Sequence, residues 1–86
     1  MQLQGALTMS TTPALLRHAG DFVSAGAVDL SAITTADSAG VSFLLELKRR
    51  AAAAGKPLQF NHCPAQLRGL VAFFELEDAL QITEAA

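Results

Sequence analysis

Four consecutive residues, Asp37-Ser38-Ala39-Gly40, place a carboxylate and a hydroxyl immediately before a long apolar run. This order predicts a strand-to-helix junction at which Asp37 or Ser38 caps the first free N–H groups of the helix. The N-terminal end of a helix carries partial positive charge, so a phosphate on Ser38, or one carried by a ligand, would be tolerated there. The chemistry expected at this turn is therefore the accommodation of a phosphate.

The other residue types that could do chemistry stand in isolation. His62 and Cys63 are adjacent, but no second group of Cys or His stands at the spacing of a zinc site. A Cys-His nucleophile would also need an orienting residue and an oxyanion motif, and the sequence shows neither. No P-loop or comparable nucleotide motif is present. We therefore expect no catalytic residue, no metal and no cofactor, and a protein that is not an enzyme.

Composition indicates one small domain, residues 1–86, which at 51% hydrophobic can bury a modest core without disulfides. A net charge of −2, six scattered basic residues and the lack of Trp and Tyr argue against a nucleic-acid partner. The single cysteine, Cys63, is typical of a reducing compartment, and no apolar run approaches the roughly 20 residues of a membrane span. We expect a cytoplasmic protein that reaches a membrane only through a partner.

Hydrophobic periodicity and the positions of Gly and Pro predict an α/β fold. Alternating residues predict strands at 1–7 and 58–61, and a short run that is apolar except for Asp29 predicts a central strand at 27–31. Apolar residues three and four apart predict helices over about 12–24 and 38–54, and from residue 64 onward. The segment 76–82 should be a short helix or a closing strand, and 83–86 a frayed end. The expected architecture is a small mixed sheet of three to four strands packed against helices.

The long helix predicted after the turn has two distinct faces. At 100° per residue, a broad apolar arc would face the sheet: Val41, Leu44, Leu45, Leu47, Ala51 and Ala52. The opposite arc is mainly polar: Ser38, Ser42, Glu46 and Arg49, flanked by Ala39, Phe43 and Arg50. Such a strip is usually only a solvated surface. An aromatic ring at its edge, close to the turn, favours a contact with a partner instead.

The same patterns predict which residues are buried. Phe74 continues the apolar stripe of the last long helix. Phe73 lies off that stripe and is expected to pack in the core under the C-terminal segment, with contact to a partner as the alternative. On the outer arc, by contrast, Ser42→Arg and Phe43→Glu should disrupt partner binding without unfolding the domain. The expected core consists of Leu16, Phe22, Val28, Leu30, Val41, Leu44, Leu45, Phe60, Leu67, Leu70 and Val71.

Several stretches in this order resemble one known family. They include Val28-Asp29-Leu30-Ser31 with Ile33, then Asp37-Ser38-Ala39-Gly40-Val41 with Leu44-Leu45, and later Gly55-Lys56-Pro57-Leu58, Phe60-Asn61, Pro64-Ala65-Gln66-Leu67-Arg68 and Leu76-Glu77-Asp78-Ala79-Leu80. Together they resemble the STAS domain, the fold of bacterial anti-sigma-factor antagonists and of the small STAS subunit of Mla-type phospholipid-transport ABC complexes. The resemblance covers about residues 3–82.

The resemblance implies two alternative functions. One is a non-catalytic accessory subunit that docks on the cytoplasmic ATPase of a phospholipid-transport ABC complex, at the inner face of the membrane. The other is an anti-sigma-factor antagonist, whose binding to a kinase-type anti-sigma factor ends when Ser38 is phosphorylated. Both would use one docking surface, formed by Asp37, Ser38, Ala39, Gly40, Ser42, Phe43, Glu46 and Arg49.

One departure from the family concerns the start of the sheet. STAS domains usually begin with a strand before the Leu3-Gln4-Gly5 region, and we expect that strand to be missing here. The sheet would then have an exposed edge. We expect that edge to be covered by a partner or by a second copy in a homodimer, unless the natural protein starts earlier.

Overall fold

Three strands alternate with helices in a computed structural model, which describes residues 1–82; the predicted frayed end at 83–86 lies outside the described residues. The segment predicted as a short helix or closing strand forms a short helix, Glu77–Leu80. In chain order, the elements are β1 (Gln2–Leu7), α1 (Thr12–Leu16), α2 (Ala19–Ala25), β2 (Ala27–Ala36), α3 (Ser38–Ala53), β3 (Gln59–Asn61), α4 (Ala65–Phe73) and α5 (Glu77–Leu80).

The strands lie in the order β1-β2-β3, and both pairs are parallel. The predicted α/β fold with a small sheet is confirmed, but the sheet is wholly parallel where a mixed one was expected. The reason is that helices connect each strand to the next, and such crossovers return the chain in the same direction. Buried residues recur at alternate positions in parts of β1 and β2, with breaks in β2 at the register shifts of the pairing, so the helices cover one face of the sheet.

Two elements differ in extent from the predictions. β2 runs for ten residues, to Ala36, because its second half also pairs with β1 through contacts such as Gly5 with Ile33. The predicted first helix is divided in two, with Arg17 and His18 forming a turn between α1 and α2. Gly26 ends α2 in the left-handed conformation at φ 77°, where glycine has little strain. The longer β2 leads directly into Asp37, without the intervening connection that was expected.

The core lies between the covered face of the sheet and the helices. Most of the predicted core residues are buried, while Leu16, Leu45 and Leu70 lie only partly buried at its margin. The buried face of α3 is turned away from Leu45 and towards Phe43. Its buried residues are Gly40, Val41, Phe43, Leu44, Leu47 and Ala51.

The prediction that Phe73 and Phe74 are buried is wrong. Phe73 is 79% exposed and Phe74 is 42% exposed. α4 ends at Phe73, and the chain reverses through Glu75, which has a left-handed φ of 57°. This reversal brings the next residue, Leu76, back onto the core, where its N–H donates to the Val71 carbonyl at 3.0 Å. Leu76 thus takes the place over the core that periodicity assigned to Phe74.

Candidate functional site

Asp37 caps the long helix α3 and ties it to the preceding loop. One carboxylate oxygen, Oδ1, accepts from the Gly40 N–H at 3.1 Å, and the other, Oδ2, accepts from the Met9 N–H at 3.1 Å. The backbone N–H of Asp37 also donates to the Leu7 carbonyl at 3.2 Å. Of the two capping residues that the sequence allowed, the structure uses Asp37. The turn is therefore bonded to both the end of β1 and the loop 8–11.

Gly40 lets the first turn of α3 pack directly on β1. A Cβ atom at this position would lie 2.3 Å from the carbonyl oxygen of Leu7 and 2.9 Å from its Cγ. The first contact is with backbone, which cannot move away by a side-chain rotation. Gly40 is buried for this reason, so its role at the turn is to allow close packing and it offers no side chain to a partner.

Gln66, at the start of α4, holds the end of β2 beside the turn. Its side-chain Nε2 donates to the Ala36 carbonyl at 3.0 Å, and its Oε1 accepts from the Ala36 N–H at 3.0 Å. The amide therefore imitates a neighbouring strand where β3 has already ended. Sequence reasoning did not identify this role, because the two residues are 30 positions apart and no local pattern signals the pairing.

Ser38 is the first residue of α3 and is exposed. Capping is performed by the neighbouring carboxylate of Asp37, so the Ser38 hydroxyl is not engaged in that role. A phosphoryl group on Ser38 would be favoured by the helix dipole and opposed by the charge of Asp37. Because Ser38 is exposed, added charge there would change the surface and leave the core intact.

The outer strip of α3 carries a compact group of charges. Glu46 accepts from Arg49 at 2.8 and 2.7 Å and from Arg50 at 2.7 Å. The two hydrogen bonds from Arg49, reinforced by the one from Arg50, lower the pKa of Glu46 to about 2. The strip is polar and accessible as expected, with Ser42 and Arg49 exposed and Glu46 half-buried.

Phe43 does not belong to this exposed strip. Its side chain is 2% exposed, and its ring packs edge-to-face on Phe22 with the centroids 6.0 Å apart. The prediction of Phe43 as an exposed partner contact is therefore wrong. α3 is rotated about its axis relative to the predicted arc, because the aromatic ring buries more apolar surface than the Leu45 side chain that is displaced to the margin.

Two grooves flank the exposed ridge formed by Ser38 and Ser42. The first, of about 540 Å³, separates α1 from α3 and is lined by Thr12, Leu16, Ala39, Ser42, Phe43, Glu46 and Arg50. The second, of about 260 Å³, lies between α3 and the connection from α4 to α5 and is lined by Ser38, Val41, Ser42, Phe74 and Leu76. Ser42 borders both grooves, so it occupies the centre of this surface.

His62 and Cys63, the other residues whose types could do chemistry, lie outside the surface around Ser38. His62 Nδ1 lies 3.8 Å from Asp29 Oδ1, which also accepts from the Ser31 N–H at 2.8 Å, and Cys63 is buried. Among residues 1–82, no three His, Cys, Asp or Glu side chains gather at a spacing that could hold a metal ion. Within the same residues, every helix is too short or too polar to cross a bilayer.

The capping carboxylate makes stability depend on pH in a defined direction. The hydrogen bond from the Met9 N–H, with a further one from Gly40, holds the pKa of Asp37 below its ordinary value of 3.8. The stabilisation is thus complete above that value and is lost as the pH falls through the lower folded-state pKa. Asp37→Asn should lower the melting temperature at pH 7, and the gap from the natural chain should narrow below about pH 4. A gap of constant size down to pH 2 would contradict the role of the charge.

The fold and the site together define a small parallel α/β domain of the STAS type, with an accessible serine at the start of its central helix. The anti-sigma factor antagonist SpoIIAA, solved in its unphosphorylated form, shares this fold with a TM-score of 0.64 at 17% identity; the match covers 84% of this chain and 70% of that one. The search of curated proteins gives no match.

The family model described as "Mlab, STAS domain" matches residues 1–83, and the chain therefore belongs to that family. STAS domains are generally non-catalytic regulatory proteins that act through protein–protein interactions. The site residues described above are consistent with such a role, because the accessible polar surface lies on a helix and its two grooves.

Proposed function

We propose that this protein is a non-catalytic accessory subunit that docks on the cytoplasmic ATPase of a phospholipid-transport ABC complex. The observation that carries the proposal is the match of an Mlab-type family model to residues 1–83. The surface that docks is the ridge of Ser38 and Ser42 with its two grooves and the charged group around Glu46. Gly40 and Phe43 are buried, so they shape this surface from below and offer a partner little accessible area.

The grooves are suited to a protein partner. They are continuous with a helix face that combines exposed hydroxyls, an ion-paired carboxylate and apolar floor residues such as Leu16 and Leu76. Interfaces typically surround a few apolar contacts with a polar rim. In this function the chemistry of transport belongs to the partner, and this chain is a positioning or regulatory subunit.

A second candidate function is that of an anti-sigma-factor antagonist. The shared fold with SpoIIAA and the exposure of Ser38 favour it. In this case the partner is a kinase-type anti-sigma factor, and phosphate on Ser38 ends the interaction. The added charge would be desolvated at the middle of the docking surface, which disfavours the complex.

Affinity capture with three serine variants tests both candidates. The tagged natural chain should isolate an ABC-type ATPase, identified by mass spectrometry, from membranes of its source. Ser42→Arg should abolish this capture, because an arginine there would enter both grooves, and Ser38→Asp should abolish it by charge. Ser24→Arg is the matched control, since Ser24 is an exposed helical serine on α2, away from both grooves. All three variants should keep the natural melting temperature.

The identity of the captured protein separates the candidates. An anti-sigma factor recovered in place of the ATPase would replace the first candidate by the second. Undiminished capture by both Ser42→Arg and Ser38→Asp would remove this surface from the interface and overturn the proposed site under either candidate.

A further inference from the structure

Two exposed aromatic side chains lie at the end of α4. Phe73 and Phe74, termed here the aromatic pair, are 79% and 42% exposed, and their rings meet edge-to-face with the centroids 5.3 Å apart. The backbone beneath them is fixed, because the N–H of Glu75 donates to Ala72 and that of Leu76 to Val71, each at 3.0 Å. A pre-organised aromatic pair loses little conformational entropy on binding, which is typical of the anchors of an interface.

The aromatic pair is continuous with the docking surface on α3. Phe74 lines the smaller groove together with Ser38, Ser42 and Leu76, so an occupant of that groove contacts the ring of Phe74 and the serine ridge at once. Phe73 is not among the residues that line the groove, and its exposed ring extends the apolar surface beyond Phe74. The proposed interface therefore has an apolar end that the polar strip alone does not provide.

Charge indicates what kind of occupant fits this end of the surface. Three exposed acidic residues, Glu75, Glu77 and Asp78, follow directly on the aromatic pair, and residues 69–82 contain no Lys, Arg or His. The carboxylates attract basic groups and repel the anionic lipids that give cellular membranes their negative surface. Aromatic rings flanked by carboxylates thus favour a protein segment that is both apolar and basic over a lipid surface.

We propose that the aromatic pair binds a basic amphipathic helix of the protein partner, with an apolar side chain in the groove beside Phe74 and Lys or Arg side chains opposite Glu75, Glu77 and Asp78. The inference rests on the proposed docking function and specifies the partner segment that completes the interface. Binding of a partner at this place also accounts for the exposure of two large apolar side chains on the surface of the domain.

Nuclear magnetic resonance titration of the isotope-labelled chain tests the proposal directly. The probe is a synthetic amphipathic peptide of about 18 residues with leucines at i, i+3, i+4 and i+7 and lysines elsewhere; the matched peptide carries glutamate in place of lysine. The lysine peptide should shift the amides of Phe73, Phe74, Ser38 and Ser42 and bind at least about tenfold more tightly than the glutamate peptide.

Variants of the chain sharpen the readout. Phe73→Ser should weaken the lysine peptide by about tenfold, as should the double change Glu77→Lys with Asp78→Lys. Asp21→Lys is the matched control on α2 and should leave the affinity unchanged. Raising the salt concentration should weaken binding of the lysine peptide, because the contact is partly electrostatic.

Three results would overturn the proposal: equal binding of both peptides, shifts confined to other parts of the chain, or binding of the aromatic pair to vesicles of phosphatidylcholine and phosphatidylglycerol. Affinity capture separates this failure from that of the proposed function. If the natural chain captures the ATPase and Ser42→Arg does not, but the peptide shifts neither Phe73 nor Phe74, the docking function stands and the basic-helix proposal fails. If the peptide shifts these residues but the natural chain captures no ATPase, the basic-helix proposal stands and the docking function fails.

Discussion

Replacing Phe43 by alanine is expected to destabilise the domain by about 3–5 kcal/mol. The ring is 2% exposed and packs on Phe22, so its removal loses apolar burial and leaves a cavity between α2 and α3. A domain of this size has only about 5–15 kcal/mol of net stability, so a large part would be lost. Phe43→Glu should be worse, because it would place an unpaired carboxylate in the core, and we expect that variant not to fold. Denaturant titration followed by circular dichroism measures the difference.

Phe73→Ala is the matched control for this prediction. It removes the same ring from a position that is 79% exposed, so the free energy of unfolding should change by less than about 0.5 kcal/mol. Equal losses in the two variants would contradict the assignment of one ring to the core and the other to the surface. A stable, folded Phe43→Glu variant would instead support the sequence-based prediction that Phe43 lies on the exposed face of α3.

Gly40→Ala is expected to destabilise the domain by about 1–3 kcal/mol or more, although alanine is the better helix former. The new methyl group would lie 2.3 Å from the carbonyl oxygen of Leu7, so either β1 or the first turn of α3 must shift. Such a shift would also strain the capping bond between Asp37 and the Gly40 N–H. Thermal and denaturant unfolding give the stability, and the affinity capture described above gives the effect on docking.

Gly69→Ala is the control, and it is expected to stabilise the domain where Gly40→Ala destabilises it. Gly69 lies inside α4, it is exposed, and a Cβ atom there would meet nothing within 4 Å. Helix propensity alone should then stabilise this variant by about 0.5–1 kcal/mol. If Gly40→Ala is also stabilising, the close contact between α3 and Leu7 does not constrain the turn.

Local patterns were sufficient to predict the elements near the turn. The order Asp37-Ser38-Ala39-Gly40 before an apolar run predicted the start of α3, and the helix begins at Ser38. Capping depends on atoms within three residues, as in the bond from the Gly40 N–H to Asp37, which explains why sequence spacing reveals it. The predicted strands rest on similarly local preferences, and the structure contains them.

Predictions that depended on how elements pack were less accurate. The buried face predicted for α3 included Leu45 and left Phe43 outside, whereas the structure buries Phe43 and leaves Leu45 only partly buried. The hydrophobic pattern alone does not say which residue meets α2. Phe74 follows the stripe of α4, yet the left-handed turn at Glu75 ends the helix and brings Leu76 onto the core instead. Glu75 is neither Gly nor Asn, the usual residues at such a turn, so nothing in the sequence signalled it.

The sequence by itself determined the α/β class, the STAS resemblance and a helix start at which either Asp37 or Ser38 could be the cap, because each depends on residue type and short-range spacing. Only the tertiary structure decided which side chains surround that serine. The contact of Gly40 with Leu7, the bonds of Gln66 to Ala36 and the exposure of Phe73 beside the groove all join residues distant in sequence or depend on the rotation of one element against another. Long-range packing sets these relations, and the docking surface is composed of them.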